Sequence, residues 1–102
     1  MASTDGKARP NAKMRAHVYV MGTVQGVYFR QNTKEVATRH GVRGWVRNLD
    51  DGRVEAVFEG DEASVNEVIE WCRVGPQKAK VEDVSVAFEK YVGEFSQFDV
   101  SY

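Results

Sequence analysis

A glycine-containing segment has the residue types of an anion-binding loop. Residues 22–30 read Gly-Thr-Val-Gln-Gly-Val-Tyr-Phe-Arg, with two glycines four positions apart and Arg30 four positions after the second. Successive backbone N–H groups between a strand and a helix form a concave surface with partial positive charge. The guanidinium of Arg30 adds a planar fork of donors that matches phosphate or carboxylate oxygens. The segment therefore predicts a site for a small oxyanion.

The elements on either side of this loop are predicted by their apolar periodicity. Residues 15–21 alternate, with Val18 and Val20 on one face, which indicates a strand. Residues 29–40 have helical spacing and are followed by Gly41, a residue typical of helix ends. Residues 42–48 indicate a second strand that ends at Asn48. The loop is thus predicted to join a strand to a helix.

The second half of the chain repeats this pattern of elements. Asp50, Asp51 and Gly52 form a turn signal before a strand over residues 53–59, with Val54, Ala56 and Phe58 expected to face the core and Glu55 and Glu59 to face outward. Asp61 is a suitable N-cap for a helix whose buried face carries Val65, Val68, Ile69 and Cys72. Strands are predicted over residues 80–91 and 98–102.

The order of the elements predicts the fold class. A βαββαβ succession with a short C-terminal strand is typical of an α+β, ferredoxin-like sandwich, with two helices on one face of an antiparallel sheet. We assign residues 14–102 to this domain and residues 1–13, which are polar and lack an apolar period, to a flexible N-terminal tail. The length allows a single core.

The topology predicts that Asn48 lies near the glycine loop. A right-handed βαβ unit makes the first two strands parallel, so that their carboxyl ends lie at one edge of the sheet. With the third strand between them, the two ends are separated by two strand spacings, or about 10 Å. The predicted site therefore combines backbone N–H groups, the Arg30 guanidinium and the Asn48 carboxamide.

The residue types near this site point away from several kinds of chemistry. The sequence offers no paired carboxylates, no Ser-His-Asp set and no cluster with metal-ligand spacing in reach of the loop. The loop lacks the Gly-Lys-Ser/Thr ending of a nucleotide P-loop. Cys72 falls on an apolar helix face, which favours a buried structural thiol, and His17 is interpreted as a strand-surface residue.

Composition and charge limit the classes of partner that this protein could bind. The net charge is −1, which argues against a general nucleic-acid binder, and no apolar segment is long enough to cross a membrane. The single cysteine favours an intracellular setting, and we expect a cytoplasmic protein. A non-catalytic module that binds a small anion or RNA stays open as an alternative, because Tyr19 and Trp45 could stack on bases.

The two polar segments together resemble the signatures of the acylphosphatase family. Residues 22–30 are similar to its first signature, and residues 44–48 with residues 51–55 are similar to its second. Gly75-Pro76 and residues 98–100 match later landmarks, so that the resemblance covers residues 15–102. One departure is Thr23, where many members carry a basic residue.

This resemblance implies a function and roles for individual residues. It implies metal-independent hydrolysis of acyl phosphates to a carboxylate and inorganic phosphate by in-line attack of water, with no cofactor, in a monomer. Carried over by position, Arg30 binds the phosphate and Asn48 positions the attacking water. The same resemblance implies that the phosphoryl oxygens are held by the backbone amides of Val24, Gln25, Gly26, Val27 and Tyr28.

Overall fold

The computed structural model describes residues 12–102 as two helices and five strands. The elements are, in chain order, β1 (Lys13–Thr23), α1 (Phe29–Arg39), β2 (Arg43–Asn48), β3 (Val54–Asp61), α2 (Glu62–Cys72), β4 (Lys80–Glu89) and β5 (Phe98–Ser101). The predicted order is confirmed, and the strand ends lie within two residues of those expected from the sequence.

The sheet has the strand order β4-β1-β3-β2-β5. β3 pairs antiparallel with both β1 and β2, and β4 pairs antiparallel with β1. β5 is the exception, because it pairs parallel with β2, with Gly44 opposite Phe98. The predicted ferredoxin-like α+β fold is confirmed, and β3 separates β1 from β2 as the topology requires.

The core lies between one face of the sheet and the two helices. Alternate residues of the strands point into it, because successive side chains of a strand face opposite ways. Val18 and Phe58 are fully buried there, as are the predicted apolar positions of α2. Cys72 is one of these positions; burial raises the pKa of its thiol to about 12, which confirms a structural thiol.

The N-terminal boundary of the domain differs slightly from the prediction. Residues 1–11 of the predicted tail lie outside the described residues. Lys13, which the sequence assigned to the tail, is the first residue of β1, and its ammonium group lies 2.6 Å from the Asp61 carboxylate. The Ala12 carbonyl accepts a 3.0 Å hydrogen bond from the Glu62 N–H at the start of α2.

Asp61 is the N-cap residue of α2, as predicted, but it lacks the side-chain hydrogen bond that is typical of this position. It occupies the N-cap position with an extended backbone, but its side chain makes no capping hydrogen bond. The carboxylate instead binds Lys13, a partner 48 positions away that a local sequence signal does not reveal. The predicted cap position is confirmed, and its side chain serves a tertiary contact in place of a capping hydrogen bond.

Glu55 and Glu59 of β3 depart from their expected exposure. Both lie on the sheet face opposite the helices, as predicted, yet only 4% of Glu55 and 3% of Glu59 is exposed. The side chains of β1 and β2 and the segment after β4 cover them. β3 is the middle strand of five, so both of its faces are buried, and alternation alone could not predict that.

Candidate active site

One cavity of about 320 Å³ collects most of the predicted site residues. It lies at the edge of the sheet where β1 leads into α1 and where β2 ends. Arg30 and Asn48, which are 18 positions apart in the chain, both line it. The complete set of lining residues is Val24, Gly26, Tyr28, Phe29, Arg30, Gln31, Asn48 and Tyr102.

The loop before α1 takes an unusual backbone conformation. Gly26 has φ 75° and Tyr28 has φ 65°, so two residues lie in the left-handed region. A side chain at position 28 is uncommon there. Two hydrogen bonds fix it, because the Tyr28 carbonyl accepts from the Asn32 N–H at 3.1 Å and from the Asn32 carboxamide at 2.8 Å. Left-handed backbone conformations at alternate residues, as at positions 26 and 28, turn successive N–H groups toward one point.

The N–H groups of this loop are left available for a ligand. No hydrogen bond within residues 12–102 uses the N–H groups of residues 25–28. The first N–H groups of α1, beginning at Phe29, also have no intrahelical acceptor, and the helix dipole places partial positive charge there. These N–H groups have no acceptor among the described residues, and the anion-binding role that the glycine spacing predicts for them stays a prediction.

Arg30 lies in the first turn of α1 and is held by two residues near the end of the chain. Its Nη1 donates to the Ser101 carbonyl at 3.3 Å, and its guanidinium carbon lies 4.6 Å from the centre of the Tyr102 ring. Arg30 has the one charged side chain among the described residues that line the cavity. No carboxylate in the described part of the chain pairs with it, so its charge is available to an anion.

Asn48 is the last residue of β2, opposite Val54 on β3. Its carboxamide makes no hydrogen bond to the side chains or backbone of residues 12–102, which leaves it able to bind a ligand or water. The turn that follows is closed by hydrogen bonds: Leu49 N–H donates to the Arg53 carbonyl at 2.8 Å, and the Asp51 carboxylate accepts from Arg53. Asn48 therefore has a well-fixed backbone.

Gln25 and Val27 do not line the cavity, and Gln25 has a role that the sequence did not reveal. The Gln25 carboxamide donates to the carbonyls of Leu49 and Arg53, at 2.7 and 2.9 Å. These two carbonyls frame the turn after Asn48. Gln25 thus ties the anion-binding loop to the hairpin that carries Asn48.

The hairpin is supported from the outer face of the sheet by a charged cluster around Glu55. Arg47, next to Asn48, donates to Glu55 at 2.7 Å, and His17 and Tyr19 contact the other carboxylate oxygen at 2.6 and 3.1 Å. Burial acts to raise the pKa of Glu55, but hydrogen bonds from His17, Arg47 and Tyr19 outweigh burial and lower it. Glu55 therefore stays ionised.

His17 is the second titratable member of this cluster. Its Nδ1 lies 3.0 Å from Glu89, opposite the contact to Glu55. Burial lowers the pKa of His17, while the hydrogen bonds with the two carboxylates raise it, and their effect is larger. The side chain is 24% exposed, so the sequence interpretation of a simple surface histidine missed its two partners.

The cavity offers charge stabilisation and positioning, with no side chain suited to nucleophilic attack. None of its lining residues is a carboxylate, histidine, cysteine, serine or lysine. Among residues 12–102, no group of three or more His, Cys, Asp or Glu side chains could hold a metal ion. Neither described helix is long and apolar enough to cross a membrane.

The chain is similar to one known protein family over most of its length. The family model described as Acylphosphatase matches residues 16–100. An acylphosphatase of Pyrobaculum arsenaticum is 63% identical over 87 residues, which covers 84% of this chain and 92% of that protein. An acylphosphatase of Gloeobacter violaceus is 64% identical over 76 residues, covering 74% of this chain and 82% of that protein.

Solved structures give the same result for the fold. The crystal structure of acylphosphatase from Bacillus subtilis superposes with a TM-score of 0.84 at 35% sequence identity. The match covers 87% of this chain and 99% of that one, so the similarity extends over the whole of the smaller protein.

Proposed function

We infer the roles of individual residues from the premise that the chain belongs to the acylphosphatase family and hydrolyses acyl phosphates to a carboxylate and inorganic phosphate. We propose that the phosphoryl group sits on the N–H groups of residues 24–28 and on the Arg30 guanidinium. The observation that carries this placement is the set of N–H groups without acceptors, in a loop beside an arginine that has no carboxylate partner within the described residues.

Asn48 is assigned to the attacking water. Its carboxamide, which makes no hydrogen bond within residues 12–102, lines the same cavity as the loop, on a hairpin that two hydrogen bonds from Gln25 join to that loop. A water hydrogen-bonded to Asn48 can attack phosphorus in line with the bond that breaks. Its oxygen forms the new P–O bond, and the electron pair of the old bond leaves with the carboxylate.

The substrate itself supplies a good leaving group and a proton acceptor, so the cavity needs no general acid or general base. A carboxylate with a reference pKa near ~4 leaves without a general acid. A carboxamide cannot accept the proton of the attacking water, and no lining side chain is a general base at neutral pH. We therefore assign the proton to an oxygen of the substrate phosphate. A pH–rate profile governed by one enzyme group near neutral pH, and lost on mutation of a single side chain, would contradict this assignment.

Arg30→Lys tests the phosphate-binding role. A lysine keeps the charge but loses the planar fork, and it also loses stacking on Tyr102, so kcat/KM for acetyl phosphate should fall at least about 100-fold. The inhibition constant of inorganic phosphate should rise in parallel. Arg39→Lys is the matched control on the same helix, outside the cavity, and should change neither value.

Asn48→Ala tests the water-positioning role. This variant should lose about 100-fold in kcat, because one transition-state contact is removed, while phosphate inhibits it within about threefold of wild type. Gln31→Ala is the control, since Gln31 lines the cavity without an assigned role. Equal loss of phosphate affinity in Asn48→Ala and Arg30→Lys would contradict the division of roles.

The proposal extends to the setting in which the enzyme works. We propose a metal-independent monomer of the cytoplasm, because a single chain supplies every assigned site residue and its one cysteine is a buried thiol. Hydrolysis of an aryl acyl phosphate should persist with excess chelator and be inhibited by inorganic phosphate. Absence of turnover would favour the alternative of a non-catalytic module that binds a small anion or RNA.

The outer sheet face gives that alternative little support. The Trp45 and Tyr19 rings, which could stack on bases, are already covered by the Arg47 and Arg53 guanidinium groups, at 5.2 and 4.8 Å from the ring centres. Glu55 lies between them and is ionised.

A further inference from the structure

Asn32 lies at the end of the first turn of α1, and its side chain is bonded back to the loop before the helix. Its carboxamide Nδ2 donates to the Tyr28 carbonyl at 2.8 Å, and its backbone N–H donates to the same carbonyl at 3.1 Å. One carbonyl oxygen therefore accepts from two donors of a single residue. Asn32 does not line the active-site cavity, so any effect that it has on a bound substrate must pass through Tyr28.

Tyr28 has a backbone conformation that needs support. Among residues 12–102 it is the one residue other than glycine with a positive φ, at 65°. A side chain makes this left-handed conformation unfavourable, so it persists only where the surrounding contacts fix it. Tyr28 is also the N-cap residue of α1, and its side chain makes no capping hydrogen bond. The contact from Asn32 therefore fixes Tyr28 through its carbonyl, and the first N–H groups of the helix stay free of a capping side chain.

The peptide unit between Tyr28 and Phe29 connects this contact to the active-site cavity. A trans peptide unit is planar, and its C=O and N–H bonds point in opposite directions. The Tyr28 carbonyl points along α1 toward Asn32, so the Phe29 N–H points out of the N-terminal end of the helix. Phe29 lines the cavity, and its N–H has no acceptor within residues 12–102. Holding the Tyr28 carbonyl therefore also sets the direction of the Phe29 N–H.

We propose that Asn32 is a positioning residue of the phosphate site: its carboxamide, bonded to the Tyr28 carbonyl, holds the Phe29 N–H in the direction of the bound phosphoryl group. A hydrogen bond to a carbonyl also polarises the peptide unit, which makes the N–H at its other end a stronger donor. This inference rests on the proposed binding of phosphate by the loop and Arg30. It adds the Phe29 N–H to that surface and gives the Asn32 side chain a function at a distance from the substrate.

The neighbouring Thr33 shows which substitution keeps such a contact. Its Oγ1 donates to the Phe29 carbonyl, which is also four residues earlier, at 2.7 Å. A threonine at position 32 can donate to the Tyr28 carbonyl in the same way, whereas a valine of the same shape has no donor. Threonine and valine have similar helix propensities. Asn32→Thr and Asn32→Val therefore differ mainly in the hydrogen bond to Tyr28.

The test compares these two variants in phosphate binding and in turnover. In Asn32→Thr, the Kd of inorganic phosphate and kcat/KM for acetyl phosphate should stay within about twofold of wild type, because a donor is kept. In Asn32→Val, the Kd should rise and kcat/KM should fall about three- to tenfold, as expected for the loss of one hydrogen bond. Urea denaturation is measured in parallel, because a purely structural role would lower the stability of Asn32→Val without changing the phosphate affinity of the folded protein.

The amide resonance of Phe29 gives a second measurement, which does not depend on activity. Saturating inorganic phosphate should move the Phe29 amide proton downfield in the NMR spectrum of the wild type, because the N–H gains an anionic acceptor. The movement should be smaller in Asn32→Val than in Asn32→Thr. Equal phosphate affinity in the two variants, or a Phe29 amide that phosphate leaves unmoved, would overturn the role of Asn32 alone. Phosphate binding that Arg30→Lys leaves intact would instead overturn the proposed function.

Discussion

Gln25 is the side chain through which the anion-binding loop and the Asn48 hairpin are joined. Its two hydrogen bonds, to the carbonyls of Leu49 and Arg53, link the loop to which we assign phosphate binding with the hairpin of Asn48, to which we assign the attacking water. Each such bond contributes about 1 kcal/mol to stability. We expect its contribution to catalysis to exceed that figure, because a small displacement of a reacting group lowers the rate greatly.

Gln25→Ala should therefore lower turnover more than it lowers the stability of the domain. We expect kcat to fall about tenfold or more, because Asn48 loses its fixed position relative to the loop. The free energy of unfolding should fall by only about 1–3 kcal/mol. Steady-state kinetics and urea denaturation measure the two effects. Gln31→Ala is the control, and an unchanged kcat in a destabilised Gln25→Ala would mean that Gln25 is a structural residue only.

The sequence predicted some site residues better than others. Arg30 and the glycines belong to one contiguous loop, and the βαβ topology was enough to bring Asn48 to the same edge. The contacts of Arg30 with Ser101 and Tyr102 were missed, because they depend on β5 pairing in parallel with β2. The side-chain role of Gln25 was missed because it also depends on contacts between distant segments: its two acceptors lie 24 and 28 positions away in the chain.

The middle strand β3 carries a charged cluster on its outer face. Alternation correctly placed Glu55 on that face, but its burial depends on partners from β1 and β2 that lie beside it only in the folded sheet. Local sequence patterns predicted where the strands and helices lie, because secondary structure depends largely on residues that are neighbours in the chain. They could not predict what covers the outer face, because His17 and Glu89 reach it from other strands.

The contact between His17 and Glu55 should make stability depend on pH. The raised pKa of His17 means that its contribution is fully present below the unfolded value of about 6.5 and is lost as the pH rises through the folded value. The lowered pKa of Glu55 means that its contribution is present above the unfolded value of about 4.3 and is lost as the pH falls through the folded value. Both are present between about pH 4.5 and 6.5.

His17→Gln should reveal this window. Urea denaturation at pH 5.5 should show a loss of about 1–2 kcal/mol relative to wild type, as expected for a hydrogen bond to a charged partner, and a smaller loss at pH 8.5. His40→Gln is the control, because His40 pairs with the largely exposed Glu67 on the surface. A loss that is equal at the two pH values would mean that His17 contributes through packing and not through its charge.

The segment between β4 and β5 crosses from one edge of the sheet to the other. β4 and β5 are the outermost strands, so residues 90–97 must pass β1, β3 and β2. The buried Glu59 carboxylate holds this crossing, because it accepts hydrogen bonds from the N–H groups of Val92 and Gly93 at 2.9 and 3.1 Å. Arg15 lies beside it, 3.1 Å from Glu59 and 2.8 Å from Glu94. The crossing leads to β5 and so to the residues that hold Arg30.

Glu59→Gln should loosen the crossing and lower the stability of the whole domain. The amide has one acceptor oxygen in place of two and presents its NH₂ group to donors, so a buried N–H and the Arg15 charge lose a partner. We expect the free energy of unfolding to fall by about 2–4 kcal/mol, by urea denaturation, with faster tryptic cleavage after Lys90. Glu89→Gln removes a more exposed partner of Arg15 and should cost at most about 1 kcal/mol. Equal losses in the two variants would mean that burial of Glu59 adds nothing, and that β5 reaches Arg30 without this anchor.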